Sequence, residues 1–138
     1  MLFRSEPRQP VPRWDPKAYA ERVDAVRRIC EQEGRDPATL RLSVGLYTLI
    51  GEDDRDLATR FEAMQRWMPG GALDGQSLVE FSDGALVGTP ERIRERVADF
   101  EDLGVEEIIV SPAALPFASF DPSMIELFGE TVARSVTR

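Results

Sequence analysis

The fold is decided by two apolar runs, of which the longer is Arg41-Leu42-Ser43-Val44-Gly45-Leu46-Tyr47-Thr48-Leu49-Ile50. The shorter is Val105-Glu106-Glu107-Ile108-Ile109-Val110-Ser111. An antiparallel strand with one solvent-exposed face alternates regularly between apolar and polar residues, and neither run does so. Both runs therefore predict buried strands of a parallel sheet. We name them strand A and strand B.

Helical patterns precede, separate and follow the two strands. Helices are predicted to begin at Asp15-Pro16, after Gly51, near Ser77, at Thr89-Pro90 and at Asp121-Pro122. A capping residue followed by proline is a common helix start, and glycine is a common helix end. The first helix is expected to bury a face that includes Val26 and Cys30, and the last to turn Ile125, Phe128 and Val132 inward. Alternating helices and strands predict an α/β protein with parallel strands.

Two strands are too few for an independent sheet. Between the helix after Gly51 and the helix at Thr89-Pro90, residues 72–88 are predicted to hold a short helix around Ser77 to Phe81 and a turn at Asp83-Gly84, but no further strand. Each strand is apolar on both faces and requires neighbours on both edges. We therefore expect an incomplete α/β architecture that a further segment, another copy of the chain or a separate chain completes.

Composition excludes several classes of function. The 138 residues include 25 Asp and Glu against 17 Lys and Arg, a net charge of -8, which disfavours nucleic acid or an anionic membrane as a partner. The absence of histidine excludes catalytic triads and zinc sites that need an imidazole. The single cysteine, Cys30, is predicted to be a buried, inert thiol, because no general base lies near it in the sequence.

The beginning of the chain predicts no targeting segment. Residues 1–13 contain Pro7, Pro10 and Pro12 among charged residues, a composition typical of an extended or disordered lead-in. No apolar stretch approaches the roughly 18 residues of a membrane span. We expect a cytoplasmic protein whose folded part is residues 14–138.

Several short motifs resemble one family in their order and spacing. They are Trp14-Asp15-Pro16, residues 34–53, Leu73-Asp74-Gly75, Val87-Gly88-Thr89-Pro90-Glu91 and Leu103-Gly104-Val105-Glu106-Glu107. Together they resemble the C-terminal portion of luciferase-like monooxygenases, within the subgroup of flavin- or deazaflavin-dependent oxidoreductases. No single motif is specific, but the series covers nearly all residues from Trp14 onward.

The resemblance implies a partial TIM (β/α)8 barrel. Strands A and B would correspond to the last two barrel strands, seven and eight, and the first six would be absent. The implied cofactor is FMN or a deazaflavin (coenzyme F-420), bound only if the barrel is completed, together with a small-molecule substrate. The completing element would be a second copy of the chain or a complementing barrel segment.

Site candidates follow from the rule that barrel active sites lie at the carboxyl ends of the strands. Tyr47, Thr48 and Ser111 are the candidate cofactor-binding residues, because their hydroxyls could face a flavin ring, although packing is the alternative interpretation. Pro112 and Phe117 are candidate substrate-pocket residues, or else they cover the barrel end. Trp14 is a further pocket candidate, because the family has an aromatic residue at that place. No catalytic residue is assigned.

Two other motifs suggest chemistry but favour a structural interpretation. Glu52, Asp53 and Asp54 could form a metal or acid/base site, yet acids at a helix start cap its free N–H groups. The glycines of residues 70–75 and 84–88 lack the lysine and spacing of a phosphate loop and are predicted to be turns. The sequence predicts no metal site.

Two functional hypotheses stand at this point. The first is a C-terminal segment of an oxidoreductase that uses reduced flavin or deazaflavin for hydride transfer or oxygen activation, incomplete alone. The second is a non-catalytic truncated or split half-barrel module that self-associates or pairs with a partner. A truncated product without a separate function is a weaker third possibility.

Overall fold

The structure, a computed structural model, describes residues 14–113 and 120–133. Its helices are α1 (Pro16–Gln32), α2 (Asp54–Trp67), α3 (Leu78–Ser82), α4 (Pro90–Asp102) and α5 (Ser123–Ala133), and its strands are β1 (Ser43–Ile50), β2 (Leu86–Gly88) and β3 (Glu107–Ser111). Single 3-10 turns occupy Pro37–Thr39 and Pro69–Gly71. The predicted lead-in, residues 1–13, lies outside the described residues.

The ends of α1 follow the predicted capping chemistry, whereas the predicted cap Thr89 of α4 makes no side-chain hydrogen bond to its helix. The Asp15 carboxylate accepts hydrogen bonds from the backbone N–H groups of Lys17 and Ala18, and Pro16 is the first helical residue of α1. Gly34 follows the end of α1 with φ 74°, a left-handed conformation that favours glycine. Local sequence therefore determines where this helix begins and ends.

The sheet has three parallel strands in the order β2-β1-β3. Strand A is β1 and strand B is β3, as predicted. The sequence analysis missed β2, which pairs with the last three residues of β1, whereas β3 pairs with residues Ser43 to Tyr47. The central strand thus has a neighbour on each edge, but the two neighbours pair with different parts of it.

This topology corrects the numbering that the resemblance suggested. Strands seven and eight of a barrel are consecutive along the chain, yet β2 lies between β1 and β3. Moreover, β3 pairs with β1 and not with β2. The described strands form a small parallel sheet in which the chain passes from β2 across β1 to β3.

One face of the sheet carries the core. Val44, Leu46, Thr48 and Ile50 alternate along β1 and are all buried. On the opposite face Leu49 is buried, but Ser43 and Gly45 are exposed. Their register partners on β3, Glu107 and Ile109, are exposed as well. The expectation of burial on both faces is therefore wrong for the amino-terminal half of β1 and for β3.

Two helix faces also differ from expectation. Cys30 is buried as predicted, but Val26 on the same helix is 44% exposed. In α5, Met124 and Thr131 are buried, whereas Ile125 is 52% exposed, so the prediction that Ile125 points inward is wrong. The inward face of α5 begins one residue earlier than the apolar spacing suggested.

Gly51 ends β1 in close contact with α2. A Cβ atom at this position would lie 2.6 Å from the Cα of Leu57. Gly45, in the middle of β1, has no atom within 4 Å of such a Cβ. Only the first glycine is required by a close backbone approach.

An arginine joins the helices that follow β1 and β3. The Arg60 guanidinium on α2 donates to Asp56 at 2.7 Å, and across the fold to Asp121 at 2.9 Å and to the Ser123 hydroxyl at 2.8 Å. Asp56 also accepts the backbone N–H of Glu52 at 2.9 Å. Burial alone would raise the pKa of Asp56, but these two donors lower it below its ordinary value of 3.8.

We expect Gly51→Ala to destabilise the fold and Gly45→Ala to leave it unchanged or slightly more stable. The first substitution forces a methyl group into the backbone of α2, at a cost of about 1–3 kcal/mol. The second adds a methyl group in open space and removes a flexible glycine from a strand. Urea unfolding of both variants measures the difference, and equal stabilities would contradict the close contact.

We expect Asp56→Asn to lower the free energy of unfolding by about 1 kcal/mol at neutral pH. Because the folded-state pKa is lowered, the ionised carboxylate stabilises the fold above pH 3.8 and loses this effect as pH falls through the lower folded-state pKa. The difference from the unsubstituted chain should therefore shrink in acid. Asp54→Asn is the matched control, because the Asp54–Arg92 pair is largely exposed and should contribute little. A pH-independent effect of Asp56→Asn would refute the ionic interpretation.

Candidate functional site

The carboxyl ends of β1 and β3 lie side by side. Tyr47 and Ser111 are register partners across the two strands, so their side chains share one face of the sheet. Both residues are half-buried and accessible from that face. The structure therefore brings together two of the three predicted hydroxyl residues.

Thr48 lies on the other face. Its side chain is among the buried polar groups, with the residue 2% exposed. Its hydroxyl donates to the backbone carbonyl of Leu46 at 3.2 Å. The structure thus places Thr48 in the core, where it supports β1, and does not bring it to Tyr47 and Ser111.

The same face continues toward the amino-terminal end through Gly45 and Ile109, which are also register partners. Gly45 has no side chain, and Ile109 is 55% exposed. Together with Tyr47 and Ser111 they form a shallow surface that is small and apolar at one end and carries two hydroxyls at the other. We name these four residues the hydroxyl face. Sequence analysis missed Gly45 and Ile109, although each lies two residues before a predicted site residue and hence on the same side of its strand.

The segment after β3 begins with a tight turn. The backbone N–H of Ala113 donates to the carbonyl of Ser111 at 2.7 Å, and Ala113 is fully buried. Pro112 is half-buried and directly follows the hydroxyl face. The other predicted pocket residue of this segment, Phe117, lies outside the described residues.

Trp14 lines a groove that includes Gly45 but none of the other three residues of the hydroxyl face. Its ring packs edge-on against Phe100 at the end of α4, with centroids 4.7 Å apart, and against Tyr19 at 5.2 Å. Its backbone N–H donates to the carbonyl of Gly84, ahead of β2. These contacts hold Trp14 near the amino-terminal ends of the strands, so the structure does not join it to the other predicted site residues.

Trp14 instead lines a groove of about 470 Å³ between α1 and residues 41–46. The Tyr19 hydroxyl near this groove is buried without a hydrogen-bond partner among the described residues. Burial raises the pKa of Tyr19, and the positive charge of Arg27 partly opposes that rise. No sequence signal indicated the groove, because Tyr19 fitted the apolar spacing of α1.

The acidic residues before α2 have structural roles. Asp53 caps the helix by accepting the backbone N–H of Asp56 at 2.8 Å, and Asp54 pairs with Arg92 at 2.6 Å. Within residues 14–113 and 120–133, no group of three acidic or thiol side chains is arranged to hold a metal ion. The capping interpretation is confirmed for Asp53.

Among the described helices, none has both the length and the apolar character required to cross a bilayer.

Comparison with known proteins identifies the family. No curated protein matches the chain significantly. The model of one family, described as luciferase-like monooxygenase, matches residues 8–107, which is well over half of the chain. The chain therefore belongs to the luciferase-like monooxygenase family.

Proposed function

We propose that this chain is the C-terminal segment of a luciferase-like oxidoreductase and that its hydroxyl face contacts the ring of FMN or of the deazaflavin coenzyme F-420. When bound, such a cofactor supplies hydride to a small-molecule substrate or activates oxygen. The observation that carries the proposal is the register pairing of Tyr47 with Ser111 at the carboxyl ends of adjacent parallel strands. Ligands of parallel α/β sheets bind at this edge.

The hydroxyl face suits one side of a planar ring. Gly45 leaves room for close approach, and Ile109 offers an apolar contact. The hydroxyls of Tyr47 and Ser111 can each donate or accept one hydrogen bond at polar atoms on the edge of the ring. Thr48 acts indirectly, by fixing the backbone of β1 from the core side.

The same end of the sheet is poorly equipped to hold a phosphate. Arg60 donates to two carboxylates, and Arg92 pairs with Asp54. Each guanidinium already contacts at least one carboxylate, which weakens its attraction for a further anion. This supports a chain that contributes the ring contact only, as part of a TIM barrel whose remaining strands and phosphate contacts come from a complementing segment or a second copy.

A second candidate function is a non-catalytic half-barrel module that associates with itself or with a partner. The exposed side chains of Ile109 and Glu107 on β3 favour it, because an apolar residue on an edge strand is a pairing surface. In either case we infer a cytoplasmic protein, and the buried free thiol of Cys30 agrees with a reducing compartment. Cofactor binding separates the two candidates.

We expect the full chain, in its self-assembled form, to bind FMN or coenzyme F-420, and Tyr47→Phe and Ser111→Ala each to weaken binding by about 2- to 10-fold. Each variant removes one hydroxyl from the hydroxyl face. Titration of each oxidised cofactor, followed by its own fluorescence, measures the dissociation constant. Tyr19→Phe is the matched control, because the hydroxyl that it removes is buried and does not belong to the hydroxyl face, so affinity should stay unchanged.

Two results would contradict this function. If neither cofactor binds the folded chain at any tested concentration, the chain has no ring site of its own and the non-catalytic module is favoured. If a cofactor binds but Tyr47→Phe and Tyr19→Phe behave alike, the cofactor site lies elsewhere. Circular dichroism of each variant confirms that the fold is intact.

A further inference from the structure

Gly45 is a glycine that the described part of the fold does not require. Its φ lies outside the left-handed region, unlike that of Gly34. A Cβ atom added to it would have no neighbour within 4 Å. By contrast, a Cβ atom at Gly88 in β2 would lie 2.8 Å from the Cβ of Arg92. Neither backbone conformation nor a close contact within residues 14–113 and 120–133 therefore explains why residue 45 lacks a side chain.

The pairing of β1 with β3 is regular at this residue. The register runs without interruption from Ser43 and Glu107 to Tyr47 and Ser111. Glycine weakens the interior of a strand, and where it marks neither a bulge nor a bend it marks a place that another group approaches closely. Gly45 therefore points to a group, outside the described residues, that approaches β1 at this position.

This group must approach from the open face of the sheet. Side chains project from the two faces of a strand, so a neighbouring strand at the edge of β1, about 4.8 Å away, is not obstructed by a Cβ atom. A second sheet packs about 10 Å away, which also leaves room for a side chain. A flat ring in van der Waals contact lies only about 3.5–4 Å above the backbone. Glycine is therefore needed for a flat ring and not for a further strand or sheet.

The side chains around Gly45 form the walls of a depression. Ser43 and Tyr47 lie two residues away on the same face of β1, and Ile109 is the register partner on β3. Gly45 is itself exposed, and Ile109 is 55% exposed. The bare backbone of Gly45 is thus the lowest point of this part of the face, and the Tyr47 side chain rises beside it.

We propose that Gly45 determines which ligands the hydroxyl face accepts: its backbone is the floor on which a flat aromatic ring lies, and a side chain at residue 45 lifts the ring away. The inference rests on the proposed function and goes beyond it, because it makes the volume of one residue the determinant of ring binding. A Cβ atom raises the floor by one C–C bond, about 1.5 Å. A gap of only about 0.5–1 Å already forfeits a quarter to a half of a van der Waals contact.

A volume series at residue 45 tests the inference. We expect Gly45→Ala to weaken the binding of the cofactor, FMN or coenzyme F-420, about 3- to 10-fold, and Gly45→Val to weaken it more than about 30-fold, because each added methyl group displaces the ring further. Fluorescence titration of the self-assembled chain measures these dissociation constants. Riboflavin has the ring of FMN without the phosphate, so its affinity should fall by the same factor as that of FMN.

The same variants should not lose stability. Alanine and valine suit a strand better than glycine does, so the urea midpoints should equal or exceed that of the unsubstituted chain. Affinity and stability are thus expected to change in opposite directions, which a merely structural role of Gly45 would not produce.

Gly129→Ala is the matched control. Gly129 also has no atom within 4 Å of an added Cβ, but it lies exposed in α5 and does not belong to the hydroxyl face. Its substitution should stabilise the helix and leave cofactor affinity unchanged.

Three results would overturn the inference. The first is an unsubstituted chain and a Gly45→Val variant that bind the cofactor equally well, which would mean that the ring does not lie over residue 45 but would leave the proposed function standing. The second is a loss of stability together with affinity in both variants, which would make this glycine a structural requirement. The third is an unsubstituted chain that binds neither cofactor, which would overturn the proposed function as well.

Discussion

The structure depends on the hydrogen bonding of one strand, β1. Its last three residues pair with β2, and residues Ser43 to Tyr47 pair with β3. Since β2 and β3 do not touch in the sheet, β1 is the element that joins the two halves of the fold. The core follows from it, because Val44, Leu46, Thr48 and Ile50 all point to the covered face.

The unequal heights of the two neighbours explain the rest of the surface. Where β1 pairs with β2, Leu49 and Ile50 are fully buried on opposite faces. Where it has only β3, one face is open and carries Gly45 and Ile109. The same strand therefore provides a closed core at its carboxyl end and an accessible face beside Tyr47.

The sequence predicted the helices and strands that are marked by neighbouring residues, such as caps and apolar runs. It did not predict the elements that depend on pairing with distant residues. Caps such as Asp15-Pro16 specify helix starts directly, and the apolar runs of strands A and B are long enough to detect. β2 is three residues long, and only its pairing with distant residues of β1 makes it a strand. Strand order could not be derived either, because it depends on which edge of β1 each later strand meets.

The candidate site likewise contains residues whose position the sequence could predict and residues whose position depends on tertiary packing. The pairing of Tyr47 with Ser111 follows from the rule that carboxyl ends of parallel strands meet, so the sequence could predict it. The burial of Thr48 depends on which face the helices cover, and the position of Trp14 depends on its packing against Phe100. Neither could be derived from spacing alone.

Charge determines what this edge of the sheet can contribute to a larger site. Arg60 on α2 pairs with Asp121 just before α5, and its side chain is only 16% exposed. Its positive charge therefore stabilises the contact between these two helices. Arg92 is likewise paired with Asp54. A site assembled here has neutral hydroxyls and an apolar surface but no cation from either arginine. Under the proposed function, the hydroxyl face contacts the neutral, planar part of the cofactor, and neither of these two arginines is assigned to its anionic group.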